Sequence, residues 1–245
     1  MNSLSIKKYF IAYFDVLGYK DYISSNSKLL HLAQTIRKYL GFINTRNEKA
    51  EKLDDEYAYK FKCFSDNFLL CTEKHDQGLI ESIAWLQFNL ALDNVFVRGS
   101  FSFGELHVDK DFVFGKGIVK AHDIESKIAI FPRVVVDNTY TIATHFADSC
   151  DTSKIGMEYI GPIKADFDGV NFIDYLDVVK VKYDIKHWKF ENGLRAELET
   201  HKRNIMENVT KYSKQDNPVV LQKYMWLKNY HNSFCNKHGF CDIVI

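Results

Sequence analysis

The feature that most constrains this chain is the order of apolar periods over its first 108 residues. Residues 8–16 (Lys-Tyr-Phe-Ile-Ala-Tyr-Phe-Asp-Val) read as a buried strand ending at Asp15 and Gly18. Residues 27–45 carry Leu29, Leu30, Leu32, Ile36, Leu40 and Ile43 at helical spacing. Two β-type runs, 57–64 and 67–72, flank Ser65-Asp66-Asn67, a hairpin signal. A helix over 77–92, with Leu79, Ile83, Leu86 and Leu90 on one stripe, leads into a β-rich segment, 94–108, broken by Gly99 and Gly104. This order predicts an α+β fold with a β-α-β-β-α-β core of the ferredoxin-like kind. Many unrelated activities use that pattern, so it says nothing of function by itself.

The rest of the chain reads as additions to that core. The polar stretch 46–55 predicts a loop, 116–128 a helix, 132–137 a strand after Pro132, and 170–176 another short strand. Residues 192–212 and 217–237 are charged and amphipathic, and predict a helical hairpin broken near Asp216-Asn217-Pro218. With three prolines and no Gly/Ser-rich linker, the expected division is a main domain over 1–185 and a helical extension over 186–245 packed on it.

Composition narrows the function classes. The 32 basic and 32 acidic residues cancel, so no general field steers the chain to nucleic acid or to an anionic membrane. Small anions remain open, because local charge binds them. No interleaved basic and aromatic stripe marks a nucleic-acid surface. There is no Gly-x-x-x-x-Gly-Lys-Ser/Thr loop and no Gly-x-Ser-x-Gly elbow. The N-terminus has no signal-peptide core, no apolar run reaches membrane-helix length, and the five cysteines are scattered. The expectation is a cytoplasmic protein with reduced thiols.

Two aspartates carry the chemical signal. Asp15 ends a strand before a Leu-Gly turn, where a carboxylate at the sheet's rim can hold a hard cation and the amides of residues 16 to 19 can face anionic oxygens. It reads equally as a helix cap. Asp66 lies at a hairpin tip, where Ser-Asp-Asn is also ordinary turn chemistry. In a β-α-β-β core these two rims are neighbours, and two carboxylates there can bridge two divalent cations.

Four motifs in order then carry a resemblance. Phe14-Asp15-Val16-Leu17-Gly18-Tyr19 resembles the first metal motif of class III nucleotidyl cyclases, Phe-Asp-Ile-x-Gly-Phe. Lys62-Cys63-Phe64-Ser65-Asp66 resembles their second, Lys-x-x-Gly-Asp. The stretch from Val97 to Glu105 resembles Arg-x-Gly-x-x-x-Gly, and Gly115 with Ala121 through Glu125 resembles Gly-x-x-x-x-x-Ala-x-x-Leu-Glu. The Asn and Arg usual on the helix after that glycine are Val119 and Asp123 here, and the position that commonly helps choose the base is Phe112. This altered pattern, with the Asp-rich segment at 166–176 and a helical tail, looks like the bacterial pyrimidine cyclases of the Pycsar antiphage systems.

The resemblance implies conversion of UTP, or of CTP, to the 3',5'-cyclic monophosphate as a second messenger. It implies a Mn2+ or Mg2+ two-metal site on Asp15, the Val16 carbonyl and Asp66. It also implies a homodimer with composite active sites, and an effector that responds to the product. Phe14, Leu17, Gly18, Tyr19, Tyr59, Lys62 and Arg98 would then touch nucleotide.

Each role has a plainer alternative. Lys62 shares a strand face with Lys60 and Phe64, and is either a base contact or a solvated lysine. Tyr57 and Tyr59 share a face with Phe61 and Cys63, and either narrow a pocket or fill the core. Arg98 and Lys120 are candidate triphosphate cations or surface ion-pair partners. Asp166, Asp168 and Asp174 form an acidic cluster that is loop chemistry or a metal site. His231, Cys235, His238 and Cys241 are a rival set of zinc ligands, at spacings unlike the usual structural sites. A non-catalytic nucleotide sensor and a partner-binding C-terminal hairpin remain as rival functions.

Overall fold

The computed structural model describes residues 4–52, 59–73, 77–109, 111–137, 163–185 and 191–245. Its centre is strand β1 (Lys7–Val16), which pairs antiparallel with β3 (Asn67–Thr72) on one side and β4 (Val97–Val108) on the other. A strand paired on both edges and covered on both faces must be apolar throughout, and residues 9 to 14 are all buried. Phe10, Ala12, Phe14 and Val16 point into the main core; Tyr9, Ile11 and Tyr13 point into a smaller cluster with Leu69, Leu106 and Ala121.

β2 (Lys60–Phe64) completes a hairpin with β3. The sheet order is β2-β3-β1-β4-β6 (Val134–Val136)-β8 (Asn171–Ile173)-β7 (Ile163–Ala165), with β5 (Val113–Phe114) on the outer end of β4. The first four strands, with helices α2 (Asn26–Lys52) and α3 (Gln77–Leu92), thus follow the β-α-β-β-α-β order. β6 (Val134–Val136) runs parallel to β4, joined through α4 (Lys116–Lys127). β7 (Ile163–Ala165) and β8 (Asn171–Ile173) finish the sheet. Together these make a mixed α+β fold.

Several elements differ from the sequence reading. α2 continues through 46–52, where a loop was expected. Its buried stripe is Leu32, Ile36, Tyr39 and Ile43, which leaves Leu29 and Leu30 exposed because Leu30 is off that stripe and Leu29 is in the first turn. β4 is continuous rather than broken at its glycines. A Cβ on Gly104 would lie 2.8 Å from the Gly117 Cα, so these two glycines let α4 lie backbone-close on the sheet. The expected strand 170–176 ends at Ile173, and helix α5 (Tyr175–Ile185) follows. Its Tyr, Val and Leu content reads locally as strand. Tyr175, Leu176, Val178 and Val179 are nevertheless buried at helical spacing, and α5 packs against α3.

The chain ends in an antiparallel pair, α6 (Glu191–Lys214) and α7 (Pro218–Lys237). The Asn217 side chain caps α7 by accepting from the Val220 amide at 3.2 Å, with Pro218 at the first helical position. Leu198 and Ile205 of α6 and Leu227 and Phe234 of α7 are buried in the same main core as the strands. Each such side chain contributes about 1.5–3 kcal/mol. α7 therefore has a fixed position across the sheet's end. A short α1 (Tyr19–Tyr22) follows β1. Among the described residues no helix is long and apolar enough to cross a membrane.

Candidate functional site at the Asp15 rim

Register puts Phe64, Asn67, Asp15 and Arg98 side by side across β2, β3, β1 and β4. The neighbouring row is Lys62, Leu69, Tyr13 and Ser100. Residues in one row share a face, so Lys62 flanks Asp15 on the face that α4 partly covers. Ser65 adopts φ 58° at the hairpin tip, and the Val16 amide donates to the Asp66 carbonyl at 3.0 Å. That bond ties the Asp66 turn to the end of β1. The Asn67 side chain links the two rows: it accepts from the Tyr13 hydroxyl at 2.8 Å and donates to Asp66 Oδ1 at 3.1 Å.

Arg98 sits between two carboxylates. Its Nε donates to Asp15 Oδ2 at 3.0 Å, its Nη1 to the Ala129 carbonyl at 3.4 Å, and its Nη2 lies 2.8 Å from Glu125 Oε1. Glu125, on α4, is 3 % exposed, and its Oε1 has a charge contact with Arg98 but no aligned hydrogen-bond donor. Burial pushes its carboxyl up to about 7, against the pull of Arg98 and with a further push from Asp15. Burial also raises the pKa of Asp15; Arg98 opposes this and the Asp66 charge adds to it. Tyr13 is pushed up to about 12 by burial and by the charges of Glu125, Asp15 and Asp66. Lys223 of α7 is half-buried, and its pKa is lowered by burial and by Arg98, while Asp15 and Glu125 pull it back up.

The rim thus joins Asp15, Asp66 and Arg98 with Tyr13, Asn67, Glu125 and Lys223, which sequence reasoning did not single out. Glu125 was visible only as the last residue of a motif. His122 and Phe64 frame Tyr13, with ring centroids 5.9 Å and 6.3 Å away.

Other candidates lie elsewhere. Phe14 is in the main core, stacked on Phe68 at 4.7 Å, and Tyr59 is buried in that core on the opposite sheet face from Asp15. Tyr57 lies outside the described residues. Leu17 is buried and Tyr19 partly so. The expected anion cradle over residues 16–19 is half spent, because the Val16 and Leu17 amides donate to the Asp66 and Phe96 carbonyls. Gly18 has φ 74°, and a Cβ there would lie 3.1 Å from the Tyr212 hydroxyl, so α6 packs over this turn. Phe112 stacks on Phe114 beside His107, at the far end of the sheet. That is about 26 Å along β1 from Asp15. Lys120 pairs with Asp137 at 2.6 Å. Val119 and Asp123 line a groove of about 710 Å³ on the outer face of α4, to which neither Asp15 nor Glu125 contributes.

The two rival metal sets are otherwise engaged. Asp166 and Asp168 bind the fully buried Arg133, and Asp166 also accepts from the Trp226 indole at 2.8 Å. Asp174 accepts from the Tyr230 hydroxyl at 2.5 Å. His238 pairs with Asp177 at 2.6 Å, and Cys241 is exposed whereas Cys235 is buried. His231 lies in a buried chain instead. Its Nε2 lies 3.3 Å from the Ile243 carbonyl and 3.4 Å from Cys235 Sγ, and its Nδ1 lies 3.0 Å from His201 Nδ1. His201 Nε2 lies 2.8 Å from the Tyr175 hydroxyl. Both nitrogens of each ring are thus engaged inside the protein. Among the described residues no three His, Cys, Asp or Glu side chains are grouped to hold a metal ion.

No protein-family model matches the chain, and no curated protein matches it. Among solved structures, one similar chain is a class III adenylyl cyclase-like ATP-binding protein from Pseudomonas aeruginosa, at 9% identity and TM-score 0.33. The match covers 58% of this chain and 37% of that one, so this chain spans well under half of that protein's length.

Proposed function

We propose that this chain is a pyrimidine nucleotide cyclase that converts UTP to 3',5'-cyclic UMP and pyrophosphate. The observation that carries this reading is the meeting of Asp15 and Asp66 at one rim, tied by the bond from the Val16 amide to the Asp66 carbonyl. CTP is the alternative substrate, since uracil and cytosine differ by one carbonyl-for-amine exchange. The further parts of the reading, from the family resemblance, are a cytoplasmic homodimer with composite sites and a cyclic-nucleotide effector in antiphage defence.

The donors at the rim suit a Mn2+ or Mg2+ site. They are hard oxygens, and two carboxylates with a main-chain carbonyl such as that of Val16 are the few protein ligands such ions take when phosphates supply the rest. When bound, such ions neutralise phosphate charge and favour the ionised ribose hydroxyl. The chain's own residues orient the reactants. Asn67 and Tyr13 fix the Asp66 carboxylate, while Glu125 and the Ala129 carbonyl hold Arg98 beside Asp15. The 3'-oxygen attacks the α-phosphorus of its own molecule, the bond to pyrophosphate breaks, and the hydroxyl proton passes to solvent water. Alignment supplies much of the acceleration, because both reacting groups arrive on one ligand.

The test is incubation of the full chain with each of the four NTPs and manganese, read by product mass. Cyclic UMP is the expected product, lost in Asp15→Ala and Asp66→Ala variants that keep wild-type melting. Near-normal turnover in both variants would refute the metal role. A second reading, a nucleotide sensor without catalysis, is favoured by the Arg98 ion pair already occupying Asp15. Binding of an NTP with no cyclic product from any of the four would select it.

A further inference from the structure

The rim has an unassigned positive charge. Val119 and Asp123, which replace the usual Asn and Arg of the resembled motif, lie on the outer groove of α4. Lys120 is held by Asp137, and Arg98 is divided between Asp15 and Glu125. Two cations are left, Lys62 on the outer strand β2 and Lys223 on α7, and the one that feels the charges of Asp15, Glu125 and Arg98 is Lys223. Among the described residues it makes no ion pair and no side-chain hydrogen bond, although it is half-buried.

Two aromatic anchors fix its position. Tyr224 meets Phe96 edge-on at 5.5 Å, and the Phe96 carbonyl accepts the Leu17 amide just past Asp15. Trp226 stacks on Phe131 at 6.0 Å, two residues beyond the Ala129 carbonyl that Arg98 holds. Lys223 is three residues before Trp226 on α7 and so shares its side of the helix. The ammonium is brought to the end of β1 and β4 by packing that does not involve its charge. A partly desolvated ammonium with no direct ion-pair partner, held only by the longer-range pull of Asp15 and Glu125, costs free energy that an incoming anion would recover.

We propose that Lys223 receives the phosphate-bearing part of the ligand at the Asp15 rim, beside Arg98. The C-terminal hairpin is then a working part of the site. The inference rests on the nucleoside triphosphate reading for the ligand's class. The depressed pKa of Lys223 fits an ammonium awaiting an anion.

The test uses calorimetry on the full chain with magnesium tripolyphosphate and, separately, uridine, beside the cyclic-product assay. Lys223→Gln is expected to weaken tripolyphosphate binding about 10-fold or more, the loss of one charge-assisted contact, and to leave uridine binding unchanged. Lys223→Arg should retain binding to within about 3-fold, and Lys228→Gln, on the same helix, should change nothing. Lys223→Met serves if the Gln variant folds poorly. Wild-type tripolyphosphate affinity in the folded Gln or Met variant overturns the inference and leaves the cyclase reading standing if cyclic product still forms. Loss of that affinity with no cyclic product from the wild-type chain supports Lys223 and overturns the cyclase. A wild-type chain that binds no tripolyphosphate overturns both.

Discussion

Replacing Glu125 by Gln should stabilise this protein at high pH. The side chain is 3 % exposed, and its carboxyl holds a proton up to about 7, against 4.5 in the unfolded chain. Between those values the native state binds more protons than the unfolded state, so stability falls as pH rises. It is complete below 4.5 and lost as pH passes about 7. At about 1.4 kcal/mol per pH unit the loss approaches about 3 kcal/mol, and solvent screening near the rim reduces it to about 2 kcal/mol. Gln keeps the shape and an acceptor for Arg98 but has no charge to bury. The stability gap between variant and wild type should therefore widen by about 2 kcal/mol from pH 4.5 to pH 8, or about 4–8 °C in Tm. Urea or thermal unfolding across that range measures it. Parallel pH profiles for the two proteins would show that Glu125 is ionised as an ordinary surface carboxylate, and would refute the burial argument.

Two further predictions concern the scaffold. The buried imidazoles of His201 and His231 have pKa values driven below the ordinary 6.5, chiefly by burial, with His231 at about 4. Their contribution is complete above 6.5 and lost as pH falls toward 4, at about 1.4 kcal/mol per pH unit for each ring. His231→Phe should flatten the acid limb of the unfolding profile, and an unchanged slope would refute the burial of a neutral imidazole at His231. Gly104→Ala puts a Cβ 2.8 Å from the Gly117 Cα. It should cost about 1–3 kcal/mol in urea unfolding and shift α4 with Glu125, and wild-type stability would refute the close packing.

The periodicities of the first 108 residues determined the order of elements, because strand and helix periods are local properties of sequence. They also located Asp15 at a strand end and Asp66 at a hairpin tip, and antiparallel pairing of β1 with β3 then makes those two positions neighbours. Short-range pattern failed where packing overrode it. The Val- and Tyr-rich segment after Ile173 became helix because Asp174 and burial against α3 favour it. Gly99 and Gly104 served close contact within one strand, which no local signal separates from a turn.

What only the tertiary structure decided is the charge environment of the rim. Arg98 is engaged because α4 lies close enough on the sheet, over its glycines, to bring Glu125 beside it. Lys223 reaches the rim because Tyr224 and Trp226 anchor α7 on Phe96 and Phe131. Those contacts join segments far apart in the chain, and a one-dimensional pattern contains no term for them. The sequence determined that two carboxylates meet. The fold decided which buried acid and which lysine stand beside them.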